Sequence, residues 1–176
     1  SNQKPKVTIV TPSLAAANNG NWQTVRRWAR AIAPVAQVSI VQHWPGDDTS
    51  AEESDVLIAL HARRSAPSIS NWYARHGSRG LAVIMAGIDL YRDINYDPDA
   101  QRSLQQAHSL VVLQEKAPEA LAPAERKKTR LIFQSTSLRK PLAKTTKHLR
   151  VLMVGHLRPE KAPHTLFQVT RLLKTH

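Results

Sequence analysis

The chain of 176 residues contains no cysteine, which excludes disulfides, thiolate metal sites and cysteine nucleophiles together. Long apolar runs are missing as well. The longest, such as Val56–Leu60 and Leu81–Ala86, are far too short to cross a bilayer, and no apolar signal region opens the chain. A cytoplasmic protein is therefore the expectation, with no membrane among its partners. Aromatic residues amount to 5%, so stacking platforms for single-stranded nucleic acid are not evident. The GxGxxG fingerprint is absent, which counts against NAD or FAD. His43, His76, His108, His148 and His164 have no metal-ligand spacing, so neither a metal nor a resident cofactor is expected. No solenoid-length repeat and no heptad pattern occur.

Acidic residues are also missing from one whole window. Between Glu125 and Glu160 there is none, whereas ten lysines and arginines fall there, from Arg126 to Arg158. The net charge of +12 suits a nucleic-acid binder or an enzyme for anionic substrates. The basic window overlaps residues 134–148, which have little hydrophobic period and read as a solvated basic linker. The alternative is a surface that attracts phosphates or RNA, although Phe133 is the one aromatic residue interleaved with these charges.

What is present is the composition of a globular protein, 41% hydrophobic and 22% charged. Short apolar, β-branched runs alternate with longer amphipathic ones. Strands are predicted at Lys6–Thr11, Gln37–Gln42, Asp55–Leu60, Leu81–Met85, Ser109–Leu113 and Arg130–Phe133. Helices are predicted near Asn21–Ala33, Ile69–His76, Pro98–His108 and Glu115–Glu125. Strands without polar alternation, separated by helices, imply a parallel sheet covered on both faces. The expected fold is α/β, a Rossmann-like doubly wound domain over residues 6–133.

After the linker the pattern restarts, with a strand at Leu149–Val154, a loop at Gly155–Pro159 and a helix at Lys161–Lys174. This unit, residues 149–176, either opens a second, truncated domain or adds its strand to the edge of the first sheet. An exposed apolar strand there would allow a homodimer or strand exchange between copies. The opening Ser1-Asn2 looks like a cloning remnant and stays outside the fold.

In an open parallel sheet the functional places are the loops after the strands. After the first strand come Asn18, Asn19, Gly20 and Asn21. One asparagine caps a helix; three with a glycine, which permits close backbone approach or a positive φ, point to a ligand at a helix N-terminus. After the third strand come His61, Arg63 and Arg64, whose guanidinium forks match phosphate oxygens, with the histidine as donor or base; the alternative is a basic surface loop. After the fourth come Gly87 and Asp89, a place for a hydroxyl-rich group or simply a capped turn. In the terminal unit Gly155, His156, Arg158 and Lys161 bring backbone access and positive charge to a helix start, as a diphosphate site requires. No catalytic nucleophile or base is assignable. Trp22, Trp28, Trp44 and Trp72 read as packing residues.

Taken together these loops resemble B-type glycosyltransferases of the large retaining family, in which two Rossmann-like lobes hold a sugar nucleotide. The stretch "VGHLRPEKAP" is similar to that family's G-R-L-x-x-x-K-G donor motif: Lys161 matches the lysine and His156 stands at the arginine. The stretches "TPSLAAANNGNWQTVRRWAR", "LIALHARRSAPSI", "GIDLYRDI" and "VVLQE" resemble a bacterial branch, the selenosugar synthases of selenoneine biosynthesis. This resemblance implies transfer of selenophosphate to the anomeric carbon of UDP-N-acetylglucosamine, with loss of the phosphoryl group leaving a selenosugar. It places Asn18, Asn19, Gly20, Asn21, His61, Arg63, Arg64, Gly87 and Asp89 on the acceptor side. Gly155, His156, Arg158 and Lys161 fall on the donor diphosphate. The family's second lobe also carries a pair of sugar-gripping glutamates beyond His176, so the chain is expected to be an acceptor lobe, a linker and the start of a donor lobe, inactive alone. The other expectations are ordinary transfer to a hydroxyl and a non-catalytic basic module for phosphate or nucleic acid. A flavodoxin-like regulatory domain lacks its acidic cluster.

Overall fold

The computed structural model describes residues 3–14, 16, 20–46, 53–137, 140–141, 143–148, 151–155, 157 and 159–173. It divides into two units, Ser1–Thr136 and Ser137–His176.

The first unit is built on six parallel strands: β1 (Lys6–Val10), β2 (Gln37–Val41), β3 (Val56–Leu60), β4 (Leu81–Ile84), β5 (Ser109–Val112) and β6 (Thr129–Leu131). Their order across the sheet is β2-β1-β3-β4-β5-β6, with Ile9 aligned to Ile40 on one side and to Ile58 on the other. The run VLIAL of β3 shows why the sheet is covered on both faces. Leu57 and Ala59 enter one apolar cluster, while Ile58 and Leu60 enter the other.

Helix α1 (Gly20–Ile32) sends Val25 into the second cluster, where Trp28 and Ile32 also pack. On the opposite face α2 (Ala66–His76) contributes Ile69 and Trp72. A π-helical turn (Asp89–Asp93) and the single turn α3 (Ile94–Tyr96) lead into α4 (Pro98–Gln106), which adds Ala100 and Leu104. Trp44 and Trp72 are packing residues as expected, each 1% exposed, with ring centroids 4.9 Å apart. Gly80 adopts φ +68° against Asp55, whose carbonyl oxygen would lie 2.4 Å from any Cβ placed there. Only glycine fits that turn.

Three helical expectations change in the first unit. Helix α2 starts at Ala66 rather than Ile69, because Pro67 fits its first turn. The helix predicted over Glu115–Glu125 is instead a 3-10 turn (Ala117–Ala120) followed by α5 (Pro123–Lys127). Pro118 and Pro123 each lack an N–H, so no continuous ladder can pass them and each begins its own short element. The segment after β4, read as a loop, is helical from Asp89 onward.

The second unit contains a 3-10 turn (Pro159–Lys161) and α6 (Pro163–Leu172). The strand predicted at Leu149–Val154 is not formed over its described part: Val151–Val154 pair with no strand and are exposed. Apolar β-branched residues favour a strand only where a neighbour takes up their N–H and C=O groups.

Candidate functional site

The chain passes from β1 outward to β2 and then crosses back over β1 to β3, after which the strands run on in the other direction, so the strand order reverses between β1 and β3. The crevice at such a reversal, outside the carboxyl ends of the strands, is where ligands bind in doubly wound sheets. Here it is bounded by the segments that follow β1, beginning at Thr11, and β3, beginning at His61.

His61 is the strained element of the site. It has φ +78°, which a side chain other than glycine rarely adopts, and it is 5% exposed. Backbone bonds fix it there: its N–H donates to Ile84 O at 2.9 Å and its carbonyl accepts from Ser65 N at 3.0 Å. The Arg64 N–H donates to His61 Nδ1 at 3.3 Å, so the neutral ring carries its proton on Nε2. Burial pushes the imidazole pKa down. Asp89 opposes that shift, while the Arg64 charge adds to it. The result is a neutral histidine, suited to hydrogen-bond donation through Nε2.

Asp89 has no exposure at all. Its Oδ2 accepts from Ala62 N at 3.0 Å, and its Oδ1 accepts from Ala86 N at 2.9 Å and Gly87 N at 3.0 Å. Gly87 needs its φ of +126° to turn that N–H inward. The carboxylate therefore fastens the β3 and β4 loops to each other. A contact from Asp89 to a sugar hydroxyl does not fit this arrangement, because the buried oxygens already serve three backbone donors.

Arg63, next to His61, donates from Nε to Asp93 Oδ2 at 2.7 Å, and Arg92 Nε donates to Asp93 Oδ1 at 3.0 Å. Burial alone would raise the Asp93 pKa, but the bonds from Arg63 and Arg92 outweigh it and hold the carboxyl below its ordinary value. That hydrogen bond in turn raises the Arg63 pKa. The pair borders a cleft of about 430 Å³ lined by Arg63, Arg92, Asp93, Tyr96, Asp97 and Pro98. Arg64 is exposed beside His61.

Asn18 and Asn19 lie outside the described residues. Gly20 begins α1 with no positive φ, and a Cβ added there would meet nothing within 4 Å. Neither strain nor internal crowding demands glycine, which leaves open space at this helix start. Asn21 is half-buried on the first turn. Thr24 Oγ1 donates to Gly20 O at 2.9 Å and lies 3.2 Å from Gln134 Oε1, which also accepts from Arg27 Nη2 at 2.8 Å. The chain leaving β6 is thus tied to α1.

In the second unit, His156 and Arg158 lie outside the described residues. Gly155 and Lys161 are brought together, with the lysine Cγ 4.0 Å from where a Gly155 Cβ would stand. Lys161 closes the 3-10 turn and Ala162 adopts φ +45° before α6 begins.

Asp93, Arg92 and Gln134 were missed from sequence. The first two carried a signal: Asp89 and Asp93 are four residues apart, one helical turn, in a stretch that also holds Arg92. Gln134 gave none, since its partners lie more than a hundred residues earlier. Among the described residues no group of histidines and carboxylates could hold a metal, and no helix is long and apolar enough to cross a membrane. No protein family model matches the chain, and no curated protein matches it in sequence.

Proposed function

We propose that the chain is part of a glycosyltransferase that joins selenophosphate to the anomeric carbon of UDP-N-acetylglucosamine. The observation that carries the reading is the basic loop His61–Arg64 at the strand-order reversal of an all-parallel sheet, a position that suits a small multiply charged anion. Selenium attacks the anomeric carbon as the bond to UDP breaks, and the phosphoryl group is later lost to water as phosphate. Arg63 and Arg64 hold the anion, and His61 donates from Nε2. Open space at Gly20 admits the acceptor to the start of α1 beside Asn21, and Asn18 and Asn19, which precede it in sequence, are assigned to the same acceptor. Gly87 and Asp89 shape the site from behind by pinning the loops. Gly155, His156, Arg158 and Lys161 take the departing diphosphate. Selenium needs little help from a general base, so positioning and leaving-group stabilisation carry most of the catalysis.

The test is selenophosphate-dependent UDP release by the full-length natural protein, compared with Asn19→Ala, Arg64→Ala and Lys161→Ala. A loss of release of about tenfold or more in each variant supports the assignment. UDP release with a hydroxyl acceptor in place of selenophosphate would move the reading to an ordinary O-glycosyltransferase.

A second reading is a basic phosphate or nucleic-acid module. It draws on Lys140, Lys144 and Lys147, which are exposed in a stretch whose described residues form no helix or strand. Lys128 does not join them, because its Nζ donates to the carbonyls of Ala107 at 2.7 Å and Gln105 at 3.1 Å. Nucleic-acid affinity that survives moderate salt and prefers one sequence would favour this reading.

A further inference from the structure

The cleft beside the acceptor loop, which shares Arg63 with it, is a further opportunity for binding. Its walls come from the π-helical turn, α3 and the start of α4, together with Arg63 from the β3 loop. π-Helical turns are rare and recur at functional sites. This one keeps Asp89 and Asp93 buried while leaving Tyr91 and Arg92 outside.

The chemistry inside the cleft is specific in three ways. Arg63 is held by its Nε on a carboxylate that is only 4% exposed, and its two terminal amino groups make no hydrogen bond among the described residues. The fork is therefore oriented in advance, and a ligand need not order it. The second guanidinium, Arg92, donates to the same carboxylate, so Asp93 holds both arginines at the wall of the cleft. Asp97, which also lines the cleft, accepts through Oδ1 from Asp99 N at 2.9 Å and Ala100 N at 3.0 Å, capping α4. Those N–H groups offset its charge, and its Oδ2 has no partner among the described residues. Pro98 and Tyr96, which is 83% exposed, also line the cleft.

We propose that this cleft binds a small hydroxyl-bearing oxyanion, of the class of sugar phosphates and polyhydroxy acids. The anionic head pairs with the Arg63 fork beside Arg92. A hydroxyl of the body donates to Asp97 Oδ2, and the carbon skeleton lies against Tyr96 and Pro98. An anion without hydroxyls leaves Asp97 unanswered, and a neutral sugar leaves Arg63 unanswered; each half is the weaker ligand. The volume of about 430 Å³ lies within the range of small-molecule sites. The site shares Arg63 with the acceptor loop but not the premise of selenium transfer.

Calorimetric titration of the chain tests it with glucose 6-phosphate, gluconate, inorganic phosphate and glucose as probes. Saturable binding of glucose 6-phosphate or gluconate, at least tenfold tighter than phosphate and glucose, is the expected result, and the better of the two identifies the head group. Arg63→Lys, which keeps the charge but loses the fork, weakens it about tenfold. Asp97→Ser, which keeps a helix cap but removes the carboxylate, weakens it severalfold. Thermal melts of both variants confirm that they remain folded. Binding of neither polyhydroxylated anion, phosphate binding as tight as glucose 6-phosphate, or affinity unchanged in both folded variants would overturn the proposal. The probes contain no selenium or nucleotide, so this outcome is independent of UDP release.

Discussion

The two units of this chain are written in the same βα grammar and differ in what the structure makes of it. In the first, β1, β3, β4 and β5 disappear into two apolar clusters, and even Asp89 and Thr11 are fully buried with hydrogen-bond partners. In the second, no described residue is buried. Val151, Leu152 and Val154 are each more than two-thirds exposed, and the run they belong to forms no strand over its described part. A helix can satisfy its own backbone and forms in both units, as α6 shows. A parallel strand cannot, so it depends on neighbours that the rest of the fold must supply. The contrast teaches that the site after β3 is positioned by a network, whereas the described turn at Pro159–Lys161 is a local one.

Breaking the network of the first unit should have the largest effect. Asp89→Ala removes the acceptor of three backbone N–H groups, two of them from the loop that Gly87 turns inward. It should cost about 4 kcal/mol in chemical denaturation. Gly80→Ala forces a Cβ onto the Asp55 carbonyl at a positive φ and should cost about 3 kcal/mol. Asp93→Asn keeps the shape but weakens the hold on Arg63 and Arg92. Because Arg92 is half-exposed, that loss should stay near 1–2 kcal/mol.

The pH dependence sharpens the comparison further. The His61 pKa in the folded chain lies below its ordinary 6.5, so the fold binds fewer protons there than the unfolded chain does. Its contribution to stability is therefore complete above about pH 6.5 and is lost as pH falls through the lowered folded value. Asp93, also lowered, adds a second loss only in more acidic solution, below its ordinary 3.8. A His61→Gln variant should show a shallower fall of melting temperature between neutral pH and pH 5 than the natural chain. The smallest effect belongs to the second unit, where Leu152→Ser, at 83% exposure, should change the melting temperature of the first unit by no measurable amount.

Much of this organisation was legible in advance, and the physical reasons separate what was from what was not. The buried strands announced themselves as apolar runs such as VLIAL, because burial on both faces leaves no polar alternation. The loops that follow them were legible as candidate sites from topology alone. The division of labour inside those loops was not. Arg63 and Asp89 were both read as ligand contacts, yet only the arginine faces a cleft, while the carboxylate turns inward to three amides. Side-chain direction depends on which backbone donors lie unpaired nearby, and that is a property of the folded loops. The single helix predicted over Glu115–Glu125 was a misreading, although Pro118 and Pro123 carried the signal that divides it, whereas the link from Gln134 to Thr24 and Arg27 joins distant parts of the sequence without a local pattern.

The measurement that bears most directly on the central claim is NMR of the product formed from selenophosphate and UDP-N-acetylglucosamine labelled with carbon-13 at the anomeric position. One-bond coupling between that carbon and selenium, accompanied by release of UDP, is the predicted result. An anomeric carbon bonded to oxygen, or donor left intact with the full-length natural protein, would contradict the account.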